Sequence, residues 1–161
     1  MIRTARAAFA LLTLLAIGAL GFALVQQYAF GLPPCEFCIW QRWPWGLLLA
    51  LSAASALAAP PRLARPILVV AGLLLLVGAA IAAFHAGVEQ HWWEGPTACS
   101  STSPPARSLE ALRAQLSNAP IVRCDQIAWS LLGLSMAGYN FLVSLAAALV
   151  TLSVARRGFG A

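Results

Sequence analysis

Four apolar runs, at about residues 7–30, 39–59, 67–88 and 127–154, take up most of this chain and dictate what it can become. Each is long enough to cross about 30 Å of hydrocarbon as a helix, which needs roughly 20 apolar residues. Charged residues make up only 9% of the 161 positions, where a soluble domain carries about 25%. Too little polar surface remains to keep such a chain in water. The expectation is an all-α integral membrane protein, a four-helix transmembrane bundle forming one domain over residues 1–161. The first run follows Arg3 and Arg6 as a secretion signal would, but it exceeds an h-region of roughly 7–15 residues, and further spans follow.

Charge placement gives the expected orientation. Arg3, Arg6, Arg62, Arg65, Arg156 and Arg157 lie at the two termini and in the middle connection, with no acid among them. The opposite side holds Arg42, Arg107, Arg113 and Arg123 together with Glu36, Glu89, Glu94, Glu110 and Asp125. The positive-inside rule therefore puts both termini in the cytoplasm and the segments at about 31–38 and 89–126 outside. The net charge of +5 is explained by this topology. No soluble module interleaves Arg with aromatic residues, so a nucleic-acid partner is not expected.

The outer segments carry all four cysteines, Cys35, Cys38, Cys99 and Cys124. In a bacterium that face is the periplasm, where disulfides persist. Cys35 and Cys38 stand three apart behind Pro33-Pro34, residues that end one helix and open the next. At a helix N-terminus the free N–H groups favour a thiolate. Arg42, one turn beyond Cys38, would add a cation to the same side. An arginine at membrane depth costs about 2.5–3.5 kcal/mol on insertion scales, less near an interface. The plainer role for Arg42 is snorkelling to lipid phosphates. Cys99 and Cys124 are widely separated, so a bond between them would restrain the long outer loop by roughly 3 kcal/mol. An exposed loop disulfide can also be attacked by an outside thiolate. Within that loop Leu109, Leu112 and Leu116 recur at helical spacing opposite Glu110 and Arg113, which predicts a short amphipathic helix.

A Cys-x-x-Cys with Arg four residues on, between the first two of four spans, plus a wide Cys pair in the last outer loop, resembles the disulfide bond formation protein B (DsbB) family. The resemblance covers nearly the whole chain and implies a protein-dithiol:quinone oxidoreductase of the bacterial inner membrane. It implies that Cys99 forms a mixed disulfide with a DsbA-like, thioredoxin-fold oxidase. Cys124 would be its mate and exchange with Cys35; Cys38 would meet the quinone, ubiquinone or menaquinone, and Arg42 would stabilise both. The family also places a histidine beside the quinone, for which this chain offers His85 and His91.

Two alternatives stay open on the residues themselves. Four clustered thiols, with His91, could bind zinc or copper(I), although the second pair is far wider than a zinc knuckle and no metal is expected. The chain could also be a structural tetraspan protein with two loop disulfides, which leaves Arg42 unexplained. Tyr139 and Asn140 interrupt the fourth run and are expected to bond between helices.

Overall fold

The computed structural model describes residues 2–96, 106, 108–118 and 122–157. Four long helices dominate: α1 (Ile2–Tyr28), α2 (Glu36–Ala58), α3 (Pro61–Glu89) and α5 (Met136–Arg157). A short helix, α4 (Leu109–Asn118), lies in the long loop where the leucine spacing predicts one. Three helices are long and apolar enough to cross a membrane: Ala5–Tyr28, Pro61–Glu89 and Met136–Arg157. Helix α2 is long enough, but Trp40, Gln41, Arg42, Trp43, Pro44 and Trp45 in its first half make it less apolar than the others. Large side chains such as Leu11, Leu57, Leu149 and Val150 point outward and exposed. In water so much outward apolar surface would mark a binding face or an aggregation hazard; in hydrocarbon it costs nothing. The molecule is a mostly helical membrane protein.

The fourth helix starts later than its apolar run. Residues 127–135 are not helical; Ser130–Leu131 (β1) and Leu134–Ser135 (β2) form a two-stranded antiparallel hairpin. Leu132 and Gly133 turn it, both at positive φ (50° and 81°), the type I′ arrangement whose twist suits a two-residue hairpin. Ser135 then caps α5, its Oγ accepting from the Gly138 N–H at 3.1 Å. The third helix, by contrast, starts earlier than expected. Pro60 is its N-cap, Pro61 fills the first position, and Pro66 is absorbed in the second turn.

Helix α3 packs against α5 and α2, and α2 packs against α1, but α1 and α5 do not form an extensive pair. The main core runs along this arc through Phe9, Ala16, Leu48, Leu68, Ala71 and Ala148. Small residues let the backbones approach, as helix pairs in membranes require. Gly72 is one such case, since a Cβ there would stand 2.6 Å from Leu152 of α5. Thr13 Oγ1 donates to Ser52 Oγ at 2.9 Å, joining α1 to α2.

Candidate redox site

The site is built where the ends of α1 and α3 meet the starts of α2 and α5. The chain leaves α1 through Gly31 (φ 67°), and Pro33-Pro34 deliver Cys35 to the N-cap of α2. Cys35 Sγ accepts from the Cys38 backbone N–H at 3.2 Å and lies 2.7 Å from Cys38 Sγ. Both cysteines are free. The hydrogen bond from Cys35 to Cys38, reinforced by burial, pushes the Cys35 thiol well above its usual range.

Cys124 is fully buried and disulfide-bonded. It belongs to the same apolar cluster as Cys35, Phe37 and Val88. Cys99, the other cysteine of the long loop, lies outside the described residues, as do Ser100 to Pro105 beside it. Arg123 and Asp125 flank Cys124 and clasp each other, Nε to Oδ1 at 2.8 Å and Nη2 to Oδ2 at 2.5 Å. The guanidinium holds the Asp125 carboxyl below the ordinary range.

Of the two histidines, His85 enters the site and His91 does not line it. His85 is 3% exposed, with Nε2 3.5 Å from Cys35 Sγ and 3.8 Å from Glu89 Oε1. Phe37 covers its ring, centroids 5.4 Å apart. His91 is exposed at φ 57° and closes α3. Its N–H reaches Val88 O, and that of Trp92 reaches Gly87 O, the paired bonds of a Schellman motif with His91 where glycine usually stands. Trp93 folds back over Gly87, its indole donating to Phe84 O at 3.0 Å.

Arg42 donates Nη1 to Gln27 Oε1 at 2.7 Å and Nη2 to Ala23 O at 3.5 Å. Its Nε is buried with no hydrogen-bond partner among the described residues. Such an orphaned donor is costly unless something else accepts from it. The Arg42 side chain borders a cavity of about 430 Å³ lined largely by apolar side chains of α1 and α5, with Cys35, Cys38, Arg42, His85 and Glu89 at its polar end. The cavity lies on the side where α1 and α5 fail to close on each other.

Four residues of the site escape a reading of the sequence for cysteines and cations. Gln41 Nε2 meets His85 Nδ1 at 2.7 Å, Asn140 Nδ2 donates to Gln41 Oε1 at 2.6 Å, and Trp45 Nε1 donates to Asn140 Oδ1 at 2.8 Å. Glu89, buried, accepts from Ser135 Oγ. Spacing carries part of the signal: Gln41 and Trp45 stand three and seven after Cys38, and Glu89 stands four after His85, on one helix face each. Asn140 bonds between helices as expected, whereas Tyr139 donates to Leu131 O of the hairpin.

Known proteins match along almost the whole chain. Disulfide bond formation protein B of Polaromonas sp. is 31% identical over 160 residues, covering 94% of this chain and 91% of its own. That of Verminephrobacter eiseniae is 32% identical over 163 residues, covering 97% and 89%. An uncharacterized protein of Rickettsia prowazekii is 26% identical over 133 residues, covering 81% and 76%. No solved structure matches the chain. Residues 5–154 match the family described as Disulfide bond formation protein DsbB, and this chain, a membrane protein with its free cysteine pair at the end of an apolar cavity, belongs to that family.

Proposed function

We propose that this chain reoxidises a reduced, DsbA-like thioredoxin-fold oxidase of the bacterial periplasm and passes the electrons to a membrane quinone, ubiquinone or menaquinone. The observation that carries the reading is the shared cavity wall. Cys38 and Arg42 line one apolar space of about 430 Å³. An aromatic ring with two carbonyl oxygens fits that lining: apolar walls for the ring and tail, and a guanidinium for an oxygen.

The proposed order of events balances at each exchange. A partner thiolate attacks the disulfide that Cys124 forms, expected to be with Cys99, and gives a mixed disulfide. The partner's second thiol displaces it, leaving the partner oxidised and the loop pair as two thiols. The loop pair then reduces a Cys35–Cys38 disulfide; burial of Cys124 in the cluster that holds Cys35 supports that contact. When bound, the quinone accepts the two electrons and two protons released as Cys35 and Cys38 close again. His85 and Arg42 hold the reacting sulfurs and the acceptor's oxygen in a dry pocket, where such bonds are stronger than in water.

In this reading all four long helices span the inner membrane, with both termini cytoplasmic. The charge asymmetry supports this, as does the gathering of the site at one end of the bundle. The test is quinone reduction by purified protein with a reduced thioredoxin-fold oxidase as donor. Turnover that vanishes when either pair is changed to serine supports the relay; folded protein with neither turnover nor quinone binding would sink it.

One observation favours a second reading, a metal site. The ligating atoms of Cys35, Cys38 and His85 lie within 4.8 Å of one another. Metal content of the purified, reduced protein separates the two.

A further inference from the structure

The hydrogen bonds behind the cysteines can be oriented from one end. An indole N–H only donates, so the Asn140 atom facing Trp45 at 2.8 Å is the carbonyl oxygen. The Asn140 amide nitrogen must then face Gln41, at 2.6 Å, and the Gln41 atom receiving it is Oε1. That leaves the Gln41 amide nitrogen facing His85 Nδ1 at 2.7 Å. A donor there requires Nδ1 to be bare. A charged imidazolium, with hydrogen on both nitrogens, would set two donors against each other and is excluded by the same step. His85 is therefore neutral with its hydrogen on Nε2. That nitrogen faces acceptors: Cys35 Sγ at 3.5 Å and Glu89 Oε1 at 3.8 Å. Cys35 Sγ in turn lies 2.7 Å from Cys38 Sγ. The direction is uniform from α5 through α2 and α3 to the first cysteine.

We infer that Trp45, Asn140 and Gln41 are positioning residues that lock His85 as the Nε2–H tautomer, making it a donor to Cys35 and denying its lone pair to a metal ion. Histidine ligands of metals present a bare nitrogen and donate from the other, most often to a carboxylate or carbonyl. Here the second nitrogen meets a donor instead. Coordination through Nε2 would need Gln41 to turn over, and Asn140 and Trp45 oppose the turn. The cluster of two thiols and an imidazole thus has the spacing of a metal site and the wrong proton. This deepens the thiol-relay reading, because a site that must stay open to disulfide exchange is disabled by a thiolate-seeking cation such as Zn²⁺ or Cd²⁺.

The chain has two histidines, which makes the test direct. Protein with ¹⁵N-labelled histidine, reduced in detergent with a non-thiol reductant, is read by nitrogen NMR, with His91→Gln identifying the His85 signals. The expected result is His85 with Nε2 protonated and Nδ1 bare. His85 carrying hydrogen on Nδ1 in the native protein would overturn the inference, and this measurement needs no variant at the site. The isosteric change Gln41→Glu puts a carboxylate against Nδ1 and is expected to protonate that nitrogen. Cd²⁺ titration, followed by the thiolate-to-metal band, is expected to show at least tenfold tighter binding in Gln41→Glu than in the native protein. His85→Ala on that background is expected to erase the gain. Equal Cd²⁺ affinity in the native protein and Gln41→Glu counts against the lock. Loss of quinone turnover with the Nε2–H tautomer intact counts against the relay alone.

Discussion

Arg42 donates to Gln27 Oε1 at 2.7 Å from one arm of its guanidinium, while its Nε is buried without a hydrogen-bond partner among the described residues. The arm that is satisfied fixes the arm that is not. Removing the cation while keeping the side chain's bulk, as Arg42→Met, is expected to raise the KM for quinone by roughly 10–100-fold, from the 1.5–3 kcal/mol typical of a charged hydrogen bond. Arg42→Lys is expected to recover little, because an ammonium cannot hold Gln27 and offer a donor at the Nε position together. Steady-state kinetics at varied quinone separates this from a loss of kcat.

Cys38→Ser and Cys35→Ser should differ in what they cost besides turnover. Both are expected to abolish quinone reduction. Only Cys35 caps α2, its sulfur accepting from the Cys38 N–H. Serine is itself a good cap, so Cys35→Ser is expected to hold stability, and Cys35→Ala to lose about 1 kcal/mol. Thermal unfolding in detergent reads the difference; a loss of several kcal/mol for Cys38→Ser would argue that the pair is structural.

Gly72→Val drives two methyl groups toward the Leu152 side chain, where α3 packs on α5. Overpacking of this kind costs roughly 1–3 kcal/mol. The expected outcome is a lowered unfolding temperature with quinone KM unchanged, since the contact lies away from the cavity lining.

His91→Gly is expected to stabilise the protein by about 0.5–1 kcal/mol, because glycine takes the left-handed φ of 57° without the strain a Cβ brings. Turnover should be unaffected, whereas His85→Ala should cut it. Equal losses in both would return His91 to the site.

Acidification should loosen the turn around Cys124 later than an ordinary aspartate would. Asp125 titrates below its usual range because Arg123 holds the ionised form. A lowered folded pKa means that the clasp is fully present above the unfolded value, near 4, and is lost as pH falls through the lower folded value. Amide exchange at Cys124 is expected to rise in that window. In Asp125→Asn it should be raised already at neutral pH, with the difference vanishing once the native carboxyl is protonated.

The apolar runs, the charge asymmetry and the cysteine spacing make the long helices and the placing of Cys35, Cys38 and Arg42 legible before any coordinates. The start of α5 was not, because Ile127 to Leu134 is apolar enough to pass for helix, and only the Leu132-Gly133 pair marks the hairpin. The polar chain through Gln41, Asn140 and Trp45 was hidden for another reason. Its bonds cross three helices, at separations of 44, 95 and 99 positions, and no local pattern encodes which amide meets which ring. His85 and His91 differ by six residues of helical register, and the Schellman close at His91 ends α3 before that residue can line the cavity, which His85 does.

The sulfur of Cys35 begins helix α2 and, in the proposed relay, also carries electrons. An atom in both roles cannot change oxidation state without altering the first turn it holds. Closing a bond to Cys38 replaces a soft, adjustable cap with a covalent brace, and opening it gives the turn back its play. Each redox cycle is thereby written into the mechanical stiffness of the same turn that points Gln41 and Arg42 at their partners.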